Sequence, residues 1–356
     1  MSVSKTTPKA ILEALQKALT SGPAQKLEDT FYKPRPQLPN YYNGTSWLSS
    51  SLKHPSSDRN PQARTLRLIS WNIDMLIGFA EERMSAALDH LSALVASTDK
   101  DVPIVVFLQE MSQSDMRQIR ETAWIQQCFY ISDLDEKNWL SPLYGTNTLV
   151  DRRLTISEIF RVRWVSKFDR DGLFVDLALS GKSEGKVLRL CNTHLESLVA
   201  DPPVRPLQLS AAAPYLHDKK AVAGLLAGDL NAIQPFDRTL HSDNGLKDVY
   251  LELGGKEDSD DGYTWGQQVP QALREKFGCT RMDKILFAGA ITPRTFQRIG
   301  VGVKVAEDQR QAMRDAGEEE WVTDHYGVMA DFELNEDVAL SVTESNDVQL
   351  LRSKLT

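Results

Sequence analysis

The sequence predicts an α/β fold in which two packed mixed sheets are flanked by helices, and three observations predict it. Apolar runs of strand length end repeatedly on polar residues, as in 102–108 before Gln109-Glu110 and 221–226 before Gly228-Asp229-Leu230-Asn231. Some of these runs are joined by segments with helical spacing and others by hairpin-like breaks, a mixture that favours a sheet sandwich over a purely parallel sheet. The totals permit it: 356 residues, 41% hydrophobic and 25% charged, suffice for a substantial core.

Taken in order, residues 11–19 carry the apolar spacing of a short amphipathic helix, which Gly22-Pro23 ends. It reads as a frayed terminus, with partner docking as the alternative. To about Arg64 the chain is rich in Pro, Asn and Ser, with Phe31, Tyr32, Tyr41, Tyr42 and Trp47 interspersed, the composition of an arm laid on a domain surface. The compact part begins with a strand at 65–72. Met84, Ala87, Leu88, Leu91, Leu94 and Val95 then form one face of a helix. A buried strand at 102–108 leads to Ser112, a helix cap with Asp115 at the capping-box position.

Segments 142–150, 155–165 and 173–179 alternate like antiparallel strands, and 186–192 runs into Asn192-Thr193-His194. After Pro202-Pro203 a helix is expected over 207–215, limited by Pro206 and Pro214. The strand at 221–226, short helices to about 253 and a solvated acidic loop at 257–261 follow. Strands near 282–287, 295–305 and 326–333 precede a polar tail from Asn335. The expected organisation is an arm over 1–60, one domain over 61–334 and a tail over 335–356.

A net charge of −8 and a pI of about 5.4 argue against broad binding to duplex nucleic acid, which needs a basic face. Lys219-Lys220 and Arg152, Arg153 and Arg161 are the candidates for a local strand-binding patch. Cys128, Cys191 and Cys279 lack CxxC or zinc spacing and read as reduced, mostly buried thiols. No apolar run approaches the roughly 20 residues of a membrane span, and residues 1–26 have no signal core. The expectation is an intracellular protein, nuclear or cytoplasmic, without membrane contact.

Polar clusters at strand ends are what an active site on one rim of a sheet requires. Here they are Asn72/Asp74, Glu110, Asn192/His194 and Asp229/Asn231, joined later by Asp283 and Asp324-His325. Their inventory suits phosphoester hydrolysis. Hard oxygen donors such as Glu110 and Asp74 match Mg²⁺. His194 and His325 can donate hydrogen bonds to phosphate oxygens, and Asp229 with Asn231 can position an attacking water.

Six ordered motifs then resemble the endonuclease/exonuclease/phosphatase superfamily. They are Ser70-Trp71-Asn72-Ile73-Asp74, Gln109-Glu110, Asn192-Thr193-His194-Leu195-Glu196-Ser197, Gly228-Asp229-Leu230-Asn231, Met282-Asp283-Lys284-Ile285 and Thr323-Asp324-His325-Tyr326-Gly327. With Tyr263-Thr264-Trp265, the first and third are most similar to the tyrosyl-DNA phosphodiesterase 2 subfamily. The resemblance covers about 65–334 and implies a four-layer α-β-β-α sandwich. It implies a Mg²⁺-dependent phosphodiesterase (Mn²⁺ substituting) that acts on DNA 5′ ends carrying a tyrosyl adduct and releases a 5′-phosphate.

By the same resemblance Glu110 is the principal metal ligand, with Asp74 and Asp324 beside it and Asn72 ordering the first motif. Asp229 and Asn231 hold the water. His194 and His325 contact the phosphate, and Asp283 bonds His325. Trp265, Arg205, Tyr144 and Arg281 are the substrate-binding candidates. The arm matches nothing of the family's ubiquitin-binding module.

Three departures bear on substrate. Thr323 stands for the usual Ser, Met75 for a common Gly, and Val199 for an arginine held to face the tyrosyl ring. The alternative reading is the same chemistry on abasic DNA, RNA or a small phosphodiester. A non-catalytic scaffold is the reading of another class, disfavoured because Glu110, Asp229 and His325 are all present.

Overall fold

A computed structural model describes residues 9–24, 32–51 and 62–343. Its elements begin with α1 (Lys9–Thr20), β1 (Arg35–Gln37), β2 (Asn40–Tyr42), β3 (Trp47–Ser49), β4 (Gln62–Ala63) and β5 (Thr65–Asn72). Next come α2 (Ala80–Ser97), β6 (Ile104–Met111), α3 (Gln113–Glu121), α4 (Ala123–Cys128), β7 (Phe129–Ile131) and β8 (Gly145–Asp151). β9 (Ile156–Arg163), β10 (Asp171–Ser180), β11 (Val187–His194), α5 (Arg205–Leu216) and β12 (Ala221–Asp229) form the middle of the chain. α6 (Leu240–Asp243), β13 (Lys247–Asp248), α7 (Val249–Glu252), α8 (Gln271–Phe277) and β14 (Asp283–Gly289) follow. The last are β15 (Ile291–Ile299), α9 (Glu307–Ala316), β16 (Gly327–Leu334) and β17 (Ala339–Ser341).

Two mixed sheets stack face to face with helices outside them, the predicted four-layer sandwich. One sheet runs β1-β9-β10-β11-β12-β14-β13 and the other β15-β16-β5-β6-β8-β7-β2-β3. Each holds one parallel pair joined by a helical crossover: β5 and β6 through α2, β11 and β12 through α5. Strand alternation builds the layers. Leu66 and Leu68 of β5, Val105 and Phe107 of β6, Leu188 and Leu190 of β11, and Leu225 and Ala227 of β12 meet in the core between the sheets. Ile69 and Trp71 point the other way, onto Met84, Leu88, Leu91 and Val95 of α2. Leu226 points outward onto Leu209, Ala212 and Leu216 of α5. Both faces of each strand are therefore covered, which is why these strands read as nearly unbroken apolar runs.

Helix ends follow the local chemistry. Ser112 and Asp115 exchange the reciprocal bonds of a capping box, Asp115 Oδ2 accepting from the Ser112 amide at 2.8 Å. Pro206 sits in the first turn of α5, where a missing N–H costs nothing. Pro214 lies inside the same helix near its end.

Four expectations change. The arm is integrated, not merely laid on the surface: β1 pairs with β9, and the β2–β3 hairpin pairs with β7. The stretch expected as a strand at 295–305 is instead β15 at Ile291–Ile299, ended by a left-handed Gly300 at φ 72°. The tail expected from Asn335 begins with buried structure, since Val338 to Val342 join the core and β17 pairs with β10 and β4. The remainder of that tail, 344–356, lies outside the described residues, as does Phe31. The helix expected to fray is packed: Ile11 and Ala18 are buried, and Ile11 and Leu15 meet Met75, Leu76, Leu143 and Tyr144. No disulfide joins the three cysteines, and no described helix is long and apolar enough to cross a membrane.

Candidate active site

Strand parity brings the motifs together. Asn72 follows Leu66, Leu68 and Ser70 on the inward face of β5. His194 follows Leu188, Leu190 and Asn192 on β11, and Asp229 follows Leu225 and Ala227 on β12. The parallel pairings align the ends, with His194 opposite Asp229 and Asn72 opposite Gln109. β14 runs antiparallel to β12, so its first residue, Asp283, lies opposite Asp229. Four motifs far apart in sequence thus reach one rim of the sandwich on its inner face.

The backbone turns sharply at that rim. Gly228 has φ 150°, and a Cβ there would lie 1.7 Å from the Thr193 carbonyl oxygen, so only glycine allows β12 to close against β11. Asp74, Glu110 and Asn231 are left-handed at φ 56°, 55° and 47°. Such conformations cost on the order of 1 kcal/mol or more each and collect where a side chain must be re-aimed. Glu110 shows the need: the β6–β8 register slips between Leu108 and Met111, a bulge in the strand that carries Glu110 at the rim. Gln109 stays inward and donates to Ser70 Oγ (3.1 Å) and Asn192 Oδ1 (2.8 Å). Asn192, singled out with His194 in the sequence, is fully buried and ties the two sheets together, apart from the reacting rim.

Asp229 is the centre. Its Oδ1 accepts from the Asn231 amide at 2.8 Å, and its Oδ2 from Asn72 Nδ2 at 3.0 Å. That Oδ2 lies 3.2 Å from His194 Nε2 and 3.8 Å from His325 Nε2. Burial works to raise the Asp229 pKa, but the two histidines and the Asn231 amide prevail and hold it well below the usual carboxylate range.

The histidines are set up differently. His194 Nδ1 lies 2.6 Å from Arg170 Nη1. A guanidinium only donates, so Nδ1 accepts and the single ring proton sits on Nε2. Burial and then the Arg170 charge lower the His194 pKa, which keeps it neutral. His194 Nε2 is buried and faces Asp229 Oδ2 at 3.2 Å without the alignment of a full hydrogen bond, a donor that a phosphate oxygen can share. His325 Nδ1 instead faces Asp283 Oδ2 at 2.8 Å, with Asp324 Oδ1 3.7 Å from Nε2. Burial alone would lower the His325 pKa; Asp283, Asp324 and Asp229 outweigh it and hold His325 well above its ordinary value, as the cation. Burial pushes Asp283 up to about 6 even beside that cation.

Asp74, Glu110 and Asp324 form an acidic group at the same rim. Burial first, then the Asp324 and Glu110 charges, hold Asp74 well above the usual carboxylate range. Carboxylates that repel one another in this way, supplied only with oxygen donors, fit a hard divalent cation. Asp229, Asp283 and His325 also offer atoms within 4.8 Å of one another. Asp229 Oδ2, Asp283 Oδ2 and His325 Nδ1 are engaged in the hydrogen bonds just described, and a cationic imidazole does not ligate a metal, so the Asp74–Glu110–Asp324 side is the better cation site. The departures keep the geometry. Thr323 Oγ1 donates to the Asn72 carbonyl at 3.0 Å and accepts from the His325 amide at 3.2 Å, while Met75 is buried and the left-handed turn falls on Asp74.

The substrate-binding candidates divide. Trp265 is at the site: its Nε1 donates to Asp324 Oδ2 at 2.8 Å, and its backbone bridges His325 and Thr280. Tyr144 is also there, lining a pocket with Glu110 and Arg170, its hydroxyl donating to the Phe168 carbonyl and pushed up to about 12 by burial. Arg205 is not a substrate contact. It is 1% exposed and spent on Asp237 at 2.8 and 2.7 Å and on the Glu196 and Leu198 carbonyls. Arg281 is likewise buried, between Asp248 (2.7 Å) and Glu257. Glu257 also pairs with Lys284 at 2.8 Å, so the acidic loop begins as the lid of a buried charge network, not as a solvated run.

The expected basic patch is absent as well. Arg161 is enclosed by Asp133 and Asp171, and Arg153 by Asp151. Arg152 and Lys219-Lys220 follow the end of β8 and precede β12, far along the strands from the rim. Arg170 was missed by sequence reasoning. It lies 5.1 Å over the Tyr144 ring and bonds His194 and Ser197, yet its neighbours Asp169 and Asp171 resemble any polar turn.

Comparison with known proteins agrees with this geometry. The model of the Endonuclease/Exonuclease/phosphatase family matches residues 69–325, and the chain belongs to that family. Its members are hydrolases of phosphoester bonds. No curated protein matches the sequence at a significant level. Among solved structures, truncated Caenorhabditis elegans TDP2 is 21% identical with a TM-score of 0.57, covering 76% of this chain and 97% of that one. D. rerio TDP2 complexed with single strand DNA product is 21% identical with a TM-score of 0.56, covering 76% of this chain and 99% of that one. The human Nocturnin catalytic domain with bound sulfate is 16% identical with a TM-score of 0.52, covering 77% and 96%. At these identities the likeness is one of fold.

Proposed function

We propose that this member of the endonuclease/exonuclease/phosphatase family is a Mg²⁺-dependent phosphodiesterase acting on DNA 5′ ends that carry a tyrosyl adduct. The observation that carries the hydrolytic part is Asp229, held as an anion between the Nε2–H of a neutral His194 and a cationic His325. One phosphate oxygen can meet each donor while Asp229 and Asn231 orient a water for attack at phosphorus. Asp229 is too weak a base to act alone, so its task is to orient the water as phosphate charge develops. Asn72 and the Asn231 amide hold its carboxylate, and Asp283 fixes His325 with Nε2 toward the cleft. Asp74, Glu110 and Asp324 would hold the cation, which when bound offsets charge on the phosphate and its leaving oxygen.

The tyrosyl-DNA part draws support from two flanks. Trp265 and the half-exposed Phe277, 6.4 Å apart in an edge-on pair, offer stacking faces for a single strand. Arg170 and Tyr144 offer a guanidinium and a ring beside Glu110. The fold likeness to TDP2 structures is consistent with this reading. The test is a side-by-side rate comparison on 5′-tyrosyl, 3′-tyrosyl, abasic and RNA substrates, each with and without chelator. The 5′-tyrosyl substrate should be cleaved fastest and only with metal. Faster cleavage of abasic DNA or RNA would move the substrate while leaving the chemistry.

A further inference from the structure

We propose that helix α1 is a specificity element of this site. With Met75, Leu143 and Tyr144 it encloses a pocket for one aromatic or apolar group esterified to the phosphate, and it bars a continuing strand from that side. The inference deepens the phosphodiesterase reading and rests on it.

The helix is an addition to the sandwich. It belongs to neither sheet and packs on neither outer face; its buried side rests on the loops after β5 and before β8. Its sequence dictates that contact, because Ile11, Leu15 and Ala18 recur at helical spacing amid Lys9, Glu13, Gln16 and Lys17. At its end Lys167 Nζ donates to the Ser21 carbonyl at 3.1 Å, fastening the helix beside Phe168 and Arg170.

What α1 covers is polar at one end and apolar at the other. Glu110 and Arg170 stand at the polar end, and Arg170 bonds the same His194 that faces Asp229. Ile11, Leu15, Leu143 and Met75 line the other. The lining includes neither Asp229 nor His325, so α1 borders the reacting centre without covering it. The space admits the centres of water-sized spheres over ≈ 60 Å³, several times the roughly 10–15 Å³ that one water needs. That is room for a ring-sized group. A phosphate between His194 and His325 has two ester arms. The strand can leave past the half-buried Trp265, and the other arm enters the pocket under α1, where the apolar walls favour a phenyl ring over a methyl group.

The experiment is calorimetric binding of phenyl phosphate and methyl phosphate to the full chain with magnesium, for the unaltered protein, Leu15→Asp and Ala14→Phe. Leu15→Asp places a charge in the apolar wall. Ala14→Phe, at an exposed position of α1 that itself lines the pocket, narrows the pocket without removing a buried apolar contact and so serves if the first variant fails to fold. Phenyl phosphate should bind the unaltered protein on the order of tenfold more tightly than methyl phosphate. Both variants should lose most of that ratio and keep their affinity for methyl phosphate. A ratio near one in the unaltered protein, or a ratio that survives in the folded variants, overturns the proposal. Retained phenyl preference in a protein that cleaves no 5′-tyrosyl oligonucleotide would support the pocket and refute the tyrosyl-DNA reading.

Discussion

The two flanks of Asp229 are built from opposite charges. On one side His194 stands against Arg170, and a cationic neighbour keeps its ring neutral. On the other His325 stands among Asp283 and Asp324, which keep it cationic despite burial. Both rings turn Nε2 toward the same carboxylate oxygen, yet one brings a hydrogen bond without charge and the other brings both. The difference teaches that the residue behind each histidine, and not the histidine itself, sets what the phosphate meets. On the proposed reading it also separates two tasks, with substrate identity sensed on the Arg170 side and charge compensation on the Asp283 side.

The comparison breaks most completely if its shared anion is removed. Asp229→Asn should lower kcat about a thousandfold or more while circular dichroism shows an unchanged fold; near-normal turnover would take Asp229 out of the centre. Glu110→Gln or chelation should have a comparable effect, and added Mg²⁺ or Mn²⁺ should restore only the chelated protein. Activity that persists under chelation would refute the metal requirement.

Smaller effects sharpen the two flanks. As pH falls through about 6, Asp283 takes up a proton and His325 loses its anionic partner, so kcat should decline on the acid side. Asp283→Asn should cost about a hundredfold and flatten that limb, whereas an unchanged limb would mean that another group controls it. Arg205→Ala should destabilise the fold by about 3–5 kcal/mol, because Asp237 is left buried without its partner. Chemical denaturation measures that cost, and a selective rise in KM with unchanged stability would restore Arg205 as a substrate contact. Val199→Arg should shift preference toward a tyrosyl over a methyl 5′ substituent by only a few-fold, since an exposed cation–π contact is worth about 0.5–1 kcal/mol.

How much of this was legible depended on whether chemistry was carried by a strand end. Asn72, His194 and Asp229 close apolar runs and Asp283 opens one, and their period of two already placed them on the face shared with the core between the sheets. Glu110 was found by its motif, but the bulge that carries it was not, because an apolar run that ends on Gln109-Glu110 reads the same with or without one. Arginines defeated sequence reading in both directions. Arg205 and Arg281 looked available and are enclosed by carboxylates supplied from residues 32 and 33 positions away, while Arg170 looked incidental and orients His194.

By itself, the sequence determined the sandwich, its family and which polar residues end the strands at one rim, since alternation, the glycine at Gly228 and ordered motifs are local properties of the chain. Only the tertiary structure decided which arginines are spent, where α1 lies, and that the segments around Arg35–Tyr42 and Ala339–Ser341 complete the sheets. Those outcomes rest on partners distant in the chain, and a charged or short apolar segment has no character of its own until its partner is in place.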